Sequence, residues 1–120
     1  MKIAFTTSGN DLDAPLEGRF GRAPKFLIFD LDLGTFEVVG NEKSLNAAQG
    51  AGIQSAENVF RAGAQAVVTG HCGPKAFHAL KAAGLKIFNT DAATVAEALD
   101  RYQAGKLAEA EAADVEGHWG

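Results

Sequence analysis

Cys72, the only cysteine in the 120-residue chain, stands in the run Thr69-Gly70-His71-Cys72-Gly73-Pro74-Lys75. Gly73-Pro74 is a helix-start signal, because proline at the first helical position gives up an amide that has no intrahelical partner there. Cys72 therefore stands just ahead of a helix N-terminus, whose free amides and positive dipole end favour anions and thiolates. A thiol so placed can fall from a pKa of about 8.5 into roughly the 3.5 to 7.5 range. The competing reading is a buried cysteine acting as a small apolar residue in a tight strand-to-helix turn. Gly70 and Gly73 weigh towards the first reading, since they let a ligand or another backbone approach closely.

A second group of chemistry-bearing residues is Arg19-Phe20-Gly21-Arg22-Ala23-Pro24-Lys25, entered from Gly18, where three cations and two glycines fall close together. Alone, such a cluster is equally a solvated loop. Thr7-Ser8-Gly9 follows the first apolar run, and Gly50-Ala51-Gly52 opens another helix. Together these stretches describe a locally cationic site, and hence an anionic ligand. One helix terminus contributes only about 0.3 to 1 kcal/mol to an exposed anion, whereas micromolar affinity needs about 8 kcal/mol. Several charge-assisted hydrogen bonds of about 1.5 to 3 kcal/mol each must therefore converge.

The chain lacks a Cys-x-x-Cys pair and a His-x-x-x-His spacing, which excludes a zinc site and a four-cysteine iron-sulfur centre. A preassembled anionic metal-sulfide cluster makes different demands. It brings its own sulfur and asks for donors, cations and one soft contact, for which Cys72 or His71 qualifies. Thiol catalysis by Cys72 with His71 as base is a further alternative, but no third group to orient the base is visible. A two-metal nuclease is disfavoured because residues 1–7 contain no acid to hold metal on the first strand.

The elements that must position these residues follow from periodicity. Short apolar runs at 2–6, 26–31, 36–39, 66–69 and 85–89 read as strands, the second of them central because it is apolar on both faces. Residues 32–35 supply a hairpin turn, and 41–52 form a long loop of functional interest. Ile53, Ala56, Phe60 and Gly63 mark the inner face of the first helix, and Ala76, Phe77, Leu80 and Ala83 that of the second. Thr94 with Glu97 makes a capping box for the last helix, with Val95, Ala98, Leu99 and Tyr102 inward. A hairpin followed by crossovers predicts a single α/β domain of ribonuclease H-like layout, with a five-stranded mixed sheet and helices on both faces. The domain is expected over residues 1–105, with an acidic tail over 106–120 that is mobile from Glu109 and ends in His118-Trp119-Gly120. In this layout the loops after the first and fourth strands open at one sheet end, with Thr6 and Thr69 side by side.

Composition narrows the classes further. Hydrophobic residues make up 47% of the chain and mean hydropathy is near zero, as in a globular protein with no membrane span. The net charge of −4 argues against a general nucleic-acid binder. A lone cysteine and no leader-like segment suit a reducing cytoplasm.

The phrases 19–26, Gln49-Gly50-Ala51-Gly52-Ile53-Gln54 and 69–77 resemble the dinitrogenase iron-molybdenum-cofactor biosynthesis accessory family, over residues 2 to about 102. The resemblance implies a small ribonuclease H-like domain that carries or binds a metal-sulfur cofactor and is not an enzyme. It implies as cargo a molybdenum-copper sulfide cluster held non-covalently, or another molybdenum- or iron-containing sulfide cluster. Arg19, Arg22 and Lys75 would then supply charge, and Gly9, Gly52 and Gly73 close backbone approach. Ser8, Phe20, Gly50 and Pro74 would line the site, with Cys72 or His71 as the metal contact. A metal-free interaction or regulatory module working with a partner ATPase is the alternative.

Overall fold

Alternation along the strands builds two separate cores around one sheet. In β1 (Lys2–Thr7) Ala4 points to one face while Ile3 and Phe5 point to the other, and in β2 (Lys25–Asp30) Phe26 and Ile28 oppose Leu27 and Phe29. β3 (Thr35–Gly40) follows a turn through Gly34, and β4 (Ala66–Thr69) and β5 (Lys86–Asn89) complete a sheet of order β3-β2-β1-β4-β5. β1 is antiparallel to β2, and β2 to β3, whereas β1, β4 and β5 run parallel. The computed structural model describes residues 1–41 and 50–112. Gln49, most of the 41–52 loop, and the end of the tail with His118 and Trp119 lie outside the described residues.

α1 (Ala51–Arg61) and α2 (Pro74–Ala82) cover one face and α3 (Val95–Gln103) the other. The expected mixed sheet with helices on both faces is therefore present, and β2 is central as read. The capping box also forms: Glu97 N donates to Thr94 Oγ1 at 3.1 Å, and Ala93 N to Glu97 Oε2 at 3.0 Å. Arg101 pairs with both Glu97 and Asp91 at 2.7 Å. The guanidinium holds the Asp91 carboxyl below the usual carboxylate range.

Three expectations are corrected, the first being that Ala83, expected on the inner face of α2, is exposed at its C-terminal cap because the helix ends at Ala82. The inner face of α1 is Gly52, Ser55, Ala56 and Val59, while Ile53 and Phe60 are 42% and 56% exposed. Small residues face inward because this helix is packed closely against both α2 and the turn at residues 20–22, and Ser55 is tolerated there because its hydroxyl is hydrogen-bonded. The C-terminal tail also begins differently from the mobile segment expected from Glu109. Glu109 bridges antiparallel to Phe88, Ala110 N donates to Ile87 O at 2.7 Å, and Lys81 pairs with Glu109 at 3.2 Å. This short return covers the β5 edge, which would otherwise present unpaired strand groups.

Candidate anion-binding site

The site grows from the shared end of β1 and β4. Their parallel pairing sets Thr6 beside Thr69, with the two hydroxyl oxygens 2.9 Å apart and fully buried. Both bonds of a latch hold the following loop there: Glu17 N donates to Thr6 O and Thr6 Oγ1 donates to Glu17 O, each at 2.8 Å. Leu16, Ala14 and Leu12 meanwhile exchange backbone bonds with the chain entering α3. The loop thus starts on the α3 face and crosses the strand ends to the other face.

At the crossing Gly18 passes directly over Gly70. A Cβ on Gly70 would stand 2.6 Å from Gly18 O and 2.8 Å from its Cα. Gly70 is therefore required by another segment of backbone, one of the two partners the sequence allowed. Gly9 is likewise committed internally, since a Cβ there would meet Ala14 Cβ at 2.4 Å. Gly50 caps α1 with φ +79°, a conformation glycine adopts without strain.

Past the crossing, Arg19 bridges in parallel to His71, and Phe20 N donates to His71 O at 3.0 Å. Residues Phe20–Arg22 then form a 3-10 turn against α1. Phe20 is 1% exposed, its ring 5.5 Å from that of Phe26, so it anchors the turn in the core and does not line the surface. Arg22 ends the turn exposed, while Arg19 is half-buried with its Nε enclosed by protein. Lys25 leans away to Asn10 Oδ1 at 2.6 Å.

His71 and Lys75 are exposed on either side of the α2 start, and Gly73 and Pro74 open that helix with no side-chain cap. The amides of its first turn thus have no intrahelical acceptor. α1 likewise starts at Gly50, Ala51 and Gly52 with no side-chain cap. Cys72 is 2% exposed and shares the core cluster of Phe20, Ala76 and Phe77, with Sγ 3.8 Å from Gly73 O. Its packing is that of a small apolar residue. Ser8 is exposed at the end of β1.

The structure therefore brings the 3-10 turn with its arginines against the His71 to Lys75 segment and against α1. The sequence reading missed a polar node beneath them. Asn41, 1% exposed, donates from Nδ2 to Ala23 O at 2.8 Å and to Ser55 Oγ at 2.9 Å, and its Oδ1 accepts from Asn58 Nδ2 at 2.7 Å. Nothing in sequence distinguishes this asparagine from one in an exposed turn, the commoner place for the residue.

Among the described residues no group of three or more His, Cys, Asp or Glu is placed to hold a metal ion. A depression of about 150 Å³ beside Lys2, Asp30, Phe36 and Glu37 lies at the opposite end of the sheet and has no part in the site. No helix is long and apolar enough to cross a membrane among the described residues.

A family model described as dinitrogenase iron-molybdenum cofactor matches residues 1–105. The apo form of the orange protein from Desulfovibrio gigas superimposes with a TM-score of 0.92 at 37% identity, covering 95% of this chain and 96% of that one. A Thermotoga protein described as NifB-like gives a TM-score of 0.79 at 34% identity, covering 90% and 91%. An uncharacterised protein of Methanocaldococcus jannaschii is 29% identical over 110 residues, 89% of each chain.

Proposed function

The chain belongs to the dinitrogenase iron-molybdenum cofactor family, and on that premise we propose that it is a non-catalytic carrier of an anionic molybdenum-containing sulfide cluster, with copper as second metal. The observation that carries this reading is the meeting of the arginine-bearing turn with the uncapped start of α2, at residues that offer charge and amide donors and no metal-ligating set. That donor chemistry fits a cargo whose metal valences are filled by its own sulfides and whose surface is anionic.

In this reading Arg22 and Lys75 meet the cargo's outer charge, while Arg19 and His71 hold its inner side. The first-turn amides of α2 and of α1, from Gly50 to Gly52 and at Gly73, donate to its sulfides. Ser8 and Gly9 stand at the rim, and Pro74 fixes the direction of α2. Phe20 and Cys72 act from below, as packing under the site. Contact between the thiol and metal would require the Cys72 turn to open. Residues 1–105 make the carrier domain, working in a reducing cytoplasm, and the strand order supports a ribonuclease H-like classification. β1 offers no carboxylate for a nuclease.

A second reading, a metal-free module that docks on a protein such as an ATPase, draws support from Ile53 and Phe60, which are large, apolar and exposed on α1. The two readings part on metal retention. Anaerobic addition of tetrathiomolybdate and then Cu(I), followed by desalting, should leave molybdenum and copper on the protein in a fixed ratio with visible bands absent from a protein-free control. Metals that wash away with a blank spectrum would sink the carrier reading and leave the docking module.

A further inference from the structure

The cationic turn is weakly held by its own bonds. Arg22 N reaches Arg19 O at 3.2 Å, and Ala23 N reaches Phe20 O at 3.5 Å, in the poorer geometry of a single 3-10 turn. Its place in the molecule is therefore set by tertiary attachments. At its start stand the Phe20 N to His71 O bond and the Phe20 ring in the core. At its end stands Asn41, whose side-chain amide ties Ala23 O to Ser55 on α1 while Asn58 supports its carbonyl. Gln54 Nε2 in turn donates to Asn58 Oδ1 at 3.2 Å, so the node extends along α1 to within one turn of its start.

We propose that Asn41 is a positioning residue for the site: it fixes the 3-10 turn, and with it Arg19 and Arg22, against the first two turns of α1. Its bearing on cargo rests on the carrier reading above. The task needs two donors and an acceptor on one short planar group, which among side chains of this length only asparagine supplies. Aspartate keeps the shape and can still accept from Asn58 Nδ2 and from the Ser55 hydroxyl. It has no donor for Ala23 O and sets two acceptors against each other. Asn41→Asp thus cuts the side-chain tie to the turn, leaving the backbone bond from Asn41 N to Pro24 O at 2.8 Å, and spares the tie to the helix. Ser55→Ala does the opposite, leaving the Ala23 bond in place.

The test compares the full-length wild-type chain with these two variants by thermal unfolding, by amide hydrogen exchange over residues 20–23, and by molybdenum retained after tetrathiomolybdate and Cu(I). Asn41→Asp is expected to raise exchange in the turn by up to about tenfold, the scale of one lost neutral hydrogen bond, and to lower retained molybdenum by about tenfold, the scale of one misplaced charge-assisted contact to the cargo. Ser55→Ala should lose thermal stability with exchange in the turn and retention close to wild type. Should Asn41→Asp fail to fold, Asn58→Ala, which removes the support of the Asn41 carbonyl together with the Gln54 bond and keeps the Asn41 tie to Ala23 O, is expected to raise exchange in the same segment to a smaller degree. Equal exchange and equal retention in the Asn41 and Ser55 variants would overturn the proposal and leave Asn41 a stability residue. A wild-type chain that retains no molybdenum defeats the carrier reading instead, and the exchange comparison still decides the positioning claim.

Discussion

Arg22→Glu should cut cluster retention by about ten- to a hundredfold, the equivalent of about 1.5 to 3 kcal/mol for one charge-assisted hydrogen bond, while the fold stays intact. Arg22 is exposed at the end of the 3-10 turn and takes part in no ion pair among the described residues, so its replacement costs the fold little, within about 0.5 kcal/mol. Reversal to glutamate removes one attractive contact and puts a like charge against the anionic cargo, which is why the effect exceeds that of a neutral change. Lys86→Glu is the matched control. It alters net charge equally but lies at the start of β5, paired with Ala66 and so at the other end of the sheet. Metal analysis after desalting should show retention near wild type in Lys86→Glu. Equal losses in both variants would mean that overall charge, and no particular site, governs uptake, and added salt would then weaken both alike.

Phe20→Ala is expected to lower the unfolding free energy by about 3 to 5 kcal/mol, a large part of the roughly 5 to 15 kcal/mol available to such a domain. The ring is 1% exposed, tilted at 41° to Phe26, and packed in the cluster that joins α1 and α2 to the sheet. Truncation leaves a cavity in that cluster and also frees the start of the turn that carries Arg19 and Arg22. Urea unfolding followed by fluorescence and circular dichroism reads the loss directly. Phe20→Leu, which refills most of the volume, should cost roughly 1 to 2 kcal/mol. A loss below about 1 kcal/mol in Phe20→Ala would show that the turn is not anchored through this ring.

The strands and their shared end were legible because burial on both faces and period-two alternation leave few alternatives, and because Thr6 and Thr69 each close an apolar run at a polar exit. The cap at Thr94 was legible from its spacing to Glu97. The face of α1 was not. Size suggested Ile53 and Phe60 for the core, yet close packing selected Gly52, Ser55 and Ala56, and only the contact with the turn and α2 reveals that. Gly70 showed that something approaches closely but not what, and the answer, Gly18, stands 52 positions away in sequence. Phe20 and Cys72 carry the residue types of a site and the burial of a core. Their place beneath the cations depends on the loop crossing from one sheet face to the other, which no local pattern encodes. Asn41 was invisible for the same reason, since its partners come from residues 23, 55 and 58.

The central claim is that an anionic sulfide cluster is held where the arginine-bearing turn meets the helix starts. Amide chemical shifts of the ¹⁵N-labelled chain, recorded anaerobically before and after tetrathiomolybdate and Cu(I), test it most directly. The account predicts changes concentrated at residues 19–22, 50–53 and 71–76, with β3 and the α3 face left still. Changes centred on β3, or spread evenly over the surface, would contradict it.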